Sequence, residues 1–185
     1  MAGADEKGRF EPRPVTAYAA RQTVEKVTVA VEPCDGGEKV KEAFGKVDPA
    51  KLGVLPILVV IANDSDRAVQ LERLRVQLIT ADRQQIDSVA AEDIQRTGHV
   101  KPPDLGRGPS PIPRIGRGSG KDKAERELAA REFVAPVVAA GGRAYGFLYF
   151  RTVRSRLAGS KVYIAGMRDA RTGKDLLYYE IAVGR

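Results

Sequence analysis

Apolar residues along this chain recur mostly at every second position, the period of a strand with one buried face. From Gln22 to Val31, Val27, Val29 and Val31 share one parity while Lys26, Thr28 and Ala30 share the other, which predicts a half-buried strand over 23–31. Gly53 to Asn63 is the most apolar run, β-branched at Val59, Val60 and Ile61, and predicts a central strand covered on both faces. Pro56 fits only near the entrance of such a strand or at a bulge. Asn63-Asp64-Ser65-Asp66 predicts a turn, because these side chains bond their own backbone. Val69 to Thr80 predicts the next strand, with a bulge or bend where the parity switches between Leu71 and Leu74. Four more strands are expected over Phe133–Ala139, Tyr145–Val153, Lys161–Arg168 and Leu176–Val183, with Gly141-Gly142 and Asp169–Lys174 as turns.

Helical spacing is confined to short pieces. Val40, Ala43 and Phe44 predict two turns over Glu38–Phe44, stopped by Gly45. Ser88 to Thr97 reads as a short helix capped by Ser88 and ended by Gly98. Lys121 to Glu132, with alternating charge, reads as an exposed helix. Gly98 to Gly120 holds six Gly and five Pro in 23 residues, and no packed element is expected there.

Seven short strands, no internal repeat and no alternation with long helices predict a mainly β fold. The expected architecture is a seven-stranded immunoglobulin-like sandwich with short helices and a long flexible insertion. Residues 1–22 form an extended N-terminal segment, and 23–185 a single domain with the insertion at 98–123. The composition suits this reading: 43% of residues are apolar, 6% are aromatic and tryptophan is absent, so Val, Ile, Leu and Ala must build the core.

Charge and cysteine usage narrow the chemistry. Lys plus Arg number 31 against 24 Asp plus Glu, a formal +7, which suits an anionic partner or simple solubility. Cys34 is the only cysteine, which excludes an intramolecular disulfide and a cysteine-rich metal site. No apolar run approaches the ~18 residues of a spanning helix, so no transmembrane segment is expected. Met1 to Arg21 lacks an apolar signal core. The setting expected is cytoplasmic, or periplasmic or extracellular if a signal segment has been removed.

Two segments carry a resemblance. Val54 to Ser65, followed by Val69 and Leu71, and Val137 to Phe150 with its Gly141-Gly142 turn, resemble strands of bacterial immunoglobulin-like envelope proteins, including uncharacterised lipoprotein-like members. Phe44-Gly45 and Tyr178-Tyr179-Glu180-Ile181 fit the same pattern. The resemblance covers residues 23–81 and 133–183 and implies an extracytoplasmic accessory or interaction role without catalytic residues. The chain departs from the lipoprotein pattern, since Cys34 lies inside the fold region and cannot carry a lipid near the start.

Catalytic motifs fail on their own geometry. Gly116 to Lys121 resembles a phosphate loop, but Ile115 stands where its first glycine belongs and Asp122 where Ser or Thr must follow the lysine. His99 is the sole histidine, with nothing to hold it as a base. Cys34 lies among Glu32 and Asp35, which raise a thiol pKa. Glu92 and Asp93 are sequence neighbours and would not face each other on a helix. Asn63-Asp64-Ser65 matches a glycosylation acceptor, but a turn explains it.

The remaining candidates are basic. Lys101, Arg107, Arg114, Arg117, Lys121 and Lys123 stand against Asp104 and Asp122 in the insertion, and Arg151, Arg154 and Arg156 follow an aromatic strand. Such segments neutralise phosphates or sulfates, although no aromatic residues are interleaved to stack bases. The expected function is therefore a non-enzymatic accessory or protein-interaction module of the bacterial cell envelope, working through a strand edge or the 98–123 loop on an unknown envelope protein. The alternative is a nucleic-acid or polyanion binder using the basic loop. No cofactor is expected.

Overall fold

The computed structural model describes residues 10–96, 120–152, 156–176 and 178–183. Eleven strands run through them: β1 (Arg21–Val24), β2 (Val27–Pro33), β3 (Leu55–Asn63), β4 (Val69–Gln70), β5 (Arg75–Ile79), β6 (Gln85–Val89), β7 (Val137–Val138), β8 (Arg143–Phe150), β9 (Lys161–Ala165), β10 (Arg168–Asp169) and β11 (Tyr179–Ala182). Helices α1 (Gly37–Phe44), α2 (Ala91–Arg96) and α3 (Gly120–Ala129) interrupt them.

Eight strands form one antiparallel sheet in the order β1-β2-β3-β8-β6-β5-β9-β11. The sheet curls until its two ends meet. At the seam, the Glu180 N–H donates to the Gln22 side chain at 2.9 Å, and the Tyr179 hydroxyl of β11 reaches the Val27 carbonyl of β2 at 3.1 Å. The architecture is a nearly closed barrel, plus a small sheet ordered β10-β4-β7.

This corrects the expected immunoglobulin-like sandwich and the envelope-protein resemblance that went with it. A sandwich divides its strands between two facing sheets. Here one ladder passes through eight strands, and their inward residues share one interior: Val29, Ile57, Ile61, Leu78, Val162 and Ile164 are fully buried together. The physical reason for the error lies in β3. Its burial on both faces is as expected, but helices rather than a second sheet cover the outer face. Leu58 and Val60 of β3, with Phe147 and Tyr149 of β8, pack outward against Phe44 of α1, Ile94 of α2 and Leu128 of α3. Period-two alternation reports that a face is covered, not what covers it.

Local differences have local causes. The expected strand over 23–31 is a hairpin, with Glu25 (φ 47°) and Lys26 (φ 65°) both left-handed in its turn. Neither is the Asn or Gly that such a turn favours, so the sequence carries no turn signal. Ser88 does not cap a helix: it pairs within β6, and α2 starts at Ala91. The strand expected over 133–139 shrinks to β7. The parity switch at Leu71 is a chain reversal between β4 and β5, closed by Leu74 N–H to Leu71 O at 2.8 Å. α1 ends as expected at Gly45, whose φ is 61° and whose N–H bonds the Lys41 carbonyl.

The small sheet is tied to the Asn63 end of β3. Asn63 is fully buried, and its amide donates to the carbonyls of Arg67, Val138 and Ala139 at 2.6, 3.2 and 3.0 Å. Its oxygen accepts from the Ser65 N–H and hydroxyl. The Asn63-Asp64-Ser65 turn is thus a structural brace. Asp169 of β10, also buried, pairs with Arg67.

Candidate functional site

The barrel wall is incomplete along β8. On one edge β8 pairs with β3 over its whole length, from Phe150 opposite Leu55 to Arg143 opposite Ala62. On the other edge β6 reaches only Tyr149 and Phe150. Phe147 faces away from β3: its N–H donates to the Arg131 carbonyl at 2.8 Å, and its carbonyl accepts from Phe133 N–H at 3.0 Å. Main-chain groups alternate sides along a strand, so those of Tyr145 face the same open side. No described strand pairs there.

The chain folds this way because of one glycine. Leaving α3, it crosses β8 at Gly146, where a Cβ would lie 2.5 Å from the Phe133 Cα. Any side chain at 146 would block that crossing. The crossing displaces Val134 outward, where it is 76% exposed, and leaves Val137 half exposed. These are two of the three large exposed apolar residues among those described, the third being Tyr178.

Together these features form a groove of about 580 Å³ along the open edge, walled by Phe10, Val134, Val137, Tyr145 and Phe147 and edged by Arg143. The Phe10 ring packs on Phe147 at 5.2 Å between centroids. Glu132 also lines the groove, and its carboxylate accepts from the Ala91 N–H at 3.3 Å. Burial raises its pKa, against the opposing effect of that hydrogen bond, with Glu92 and Asp93 adding to the rise. Arg131 is bound to Glu127, whereas Arg143 is exposed and makes no ion pair among the described residues. Chemically, the groove offers apolar walls and, among the described residues, main-chain groups without a strand partner and the unpaired Arg143. No sequence pattern announced it; the only local signal was Gly146 inside an aromatic strand.

Of the basic residues singled out in the sequence, only Lys123, Arg151 and Arg156 have described side chains. Lys101, Arg107, Arg114, Arg117 and Arg154 lie outside the described residues, as do His99, residues 116–119 of the phosphate-loop look-alike and the side chain of Lys121. Lys123 is exposed on α3. Arg151 donates to the Asp93 carbonyl on α2 at 3.1 Å, while Arg156 reaches the Gln84 side chain at 3.3 Å. These two are therefore anchored to different elements. Cys34 is buried, and burial above all pushes its thiol up to about 12, with the nearby acids adding, which disfavours the reactive thiolate. Glu92 and Asp93 are exposed on α2. No group of acidic, His and Cys side chains able to hold a metal occurs among the described residues, and no described helix is long and apolar enough to cross a membrane.

Comparisons with known proteins add little. No family model matches the chain, and no curated protein matches it. Among solved structures, the crystal structure of the yjhA protein from Bacillus subtilis is similar, with a TM-score of 0.47 and 10% sequence identity over 90% of this chain and 97% of that one. The barrel assignment rests on the strand ladder itself.

Proposed function

We propose that this protein is a non-enzymatic interaction module that receives an extended segment of a partner protein along the open first half of β8. The observation that carries this reading is the main chain of Tyr145, which faces a groove where the β6 ladder has already stopped. A strand added there bonds to unpaired main-chain groups and extends the barrel wall, with side-chain pockets providing selectivity. Val134, Val137 and Phe147 suit apolar side chains at alternate positions of the incoming segment, and Arg143 suits a carboxylate at its edge. An exposed edge is usually blunted by charge or covered; this one is flanked by exposed valines instead.

The test is selection from a displayed library of random peptides, followed by binding of the enriched peptides to wild type and to a Val134→Asp/Val137→Asp variant. Enriched peptides should alternate apolar residues and lose at least about tenfold in affinity to the variant, whose melting should change little because both valines are exposed. Peptides that bind both proteins equally, or no enrichment, would contradict the reading.

A further inference from the structure

A second cleft lies away from the β8 groove, between α1, the 46–53 segment and the entrance of β3. Its volume is about 510 Å³, within the range of small-ligand sites. Its walls are largely apolar: Val40, Val47, Pro49, Val54 and Leu55 line it. Three features point to what it holds.

The first is the start of α1. The cap position is Gly36, which supplies no side-chain hydrogen bond, and the first helical bond runs from the Val40 N–H to the Gly36 carbonyl. The Gly37 N–H therefore has no intrahelical partner, and Gly36 and Gly37 both line the cleft. A Cβ at either would meet nothing within 4 Å. The second is Thr152, which lines the same cleft from beyond the end of β8. It is only 9% exposed, and its hydroxyl is buried without a hydrogen-bond partner. Such groups are rare in native folds and point to a missing partner. The third is charge. Lys41 and Lys46 line the cleft and make no ion pair among the described residues. The acids of the cleft are engaged, Asp48 with the Ala50 N–H at 3.1 Å and Asp35 with a partner of its own.

We propose that this cleft binds a small carboxylate bearing a short apolar chain. The carboxylate sits at the start of α1, on the Gly37 N–H, where the helix dipole favours negative charge, with Lys41 one turn further along the helix and Lys46 adding positive charge at the far end of the cleft. A turn of the Thr152 side chain brings its hydroxyl, buried in the cleft wall, to a further hydrogen bond, and the chain lies along Val40, Val47 and Leu55. This site is independent of the β8 groove, so either proposal can fail without the other.

The test is a titration of the full chain with octanoate, followed by amide NMR, with 1-octanol and inorganic phosphate as controls. Octanoate should shift the Gly36, Gly37 and Thr152 amides saturably. Octanol should bind at least about tenfold more weakly, for want of the charge at the helix start, and phosphate should bind weakly for want of the apolar chain. Thr152→Val keeps the volume and removes the hydroxyl. It should weaken octanoate about fivefold while raising the Tm of the free protein, since it removes an unpaired buried group. A threonine with a purely structural role would show a lowered Tm instead. Gly37→Leu points into open space, improves helix propensity and should abolish binding in a folded protein. Shifts elsewhere, octanol or phosphate binding as tightly as octanoate, or binding undiminished in Gly37→Leu would each overturn the proposal.

Discussion

β3 and β8 lie side by side in the same wall, and they differ in one respect. β3 is flanked along its length, by β2 on one edge and β8 on the other, and both of its faces are buried. β8 has equally buried residues at its far end, but between Arg143 and Tyr145 it has, among the described residues, a strand partner on one edge only. Both segments are apolar and β-prone, so the difference is not one of strand propensity. It comes from where the chain must cross to connect α3 to the sheet. The crossing at Gly146 takes the edge at Phe147 and stops β6 from continuing along β8, and the exposed valines follow from it. Where the ladder is complete, side chains serve stability. Where it stops, the main chain becomes available for binding.

The largest expected effect separates these two regions directly. Ile61→Ala in β3 opens a cavity at a fully buried site and should cost about 2–5 kcal/mol in chemical denaturation, whereas Val134→Ala beside β8 should change stability by less than about 0.5 kcal/mol. Similar losses at both sites would break the comparison. Asn63→Ala, at the end of β3, should cost about 1–3 kcal/mol, because it leaves the buried Val138 carbonyl short of a donor and removes the brace between β3 and the small sheet. The hairpin that delivers β2 to β3 carries backbone strain that can be relieved. Replacing Glu25 by Asn and Lys26 by Gly should stabilise by about 1–2 kcal/mol, since both positions are left-handed.

The smallest effect is confined to acid and concerns the small sheet. The Thr172 N–H, then the Arg171 N–H and the Arg67 guanidinium, hold the Asp169 carboxyl below the usual carboxylate range. Its folded pKa thus lies below the unfolded value of about 3.9. Its contribution is complete above that value and disappears as the pH falls through the folded one. The stability gap between wild type and Asp169→Asn should therefore narrow below about pH 4 in acid titrations of unfolding. A gap constant down to pH 2 would show that the carboxylate does not hold the small sheet.

Much of the β content was legible. Val59-Val60-Ile61 announced a doubly covered strand, and Val40-Ala43-Phe44-Gly45 a helix with its stop. The closure of the sheet was not legible, because Leu58 and Val60 pattern identically against helices or a second sheet. The β1–β2 turn was missed because Glu25 and Lys26 reach left-handed geometry without a turn residue, held by the ladder on either side. β6 was missed because Ser88 carries a cap-like signal that its pairing with Phe150 overrides. The candidate groove was illegible in principle, since it lies where no described strand pairs with β8. Nor could Thr152 be singled out, since an unpaired hydroxyl is visible only when its surroundings are known.

Amide hydrogen exchange along β8 in the free protein tests the central claim most directly. The Ala144 and Gly146 N–H groups face β3 within the ladder, whereas Tyr145 faces the open edge. The account predicts that Tyr145 exchanges rapidly between two strongly protected neighbours and becomes protected when a selected peptide binds. Protection of Tyr145 equal to that of Ala144 and Gly146 in the free protein would mean that the edge is already occupied, and the groove could not receive a strand.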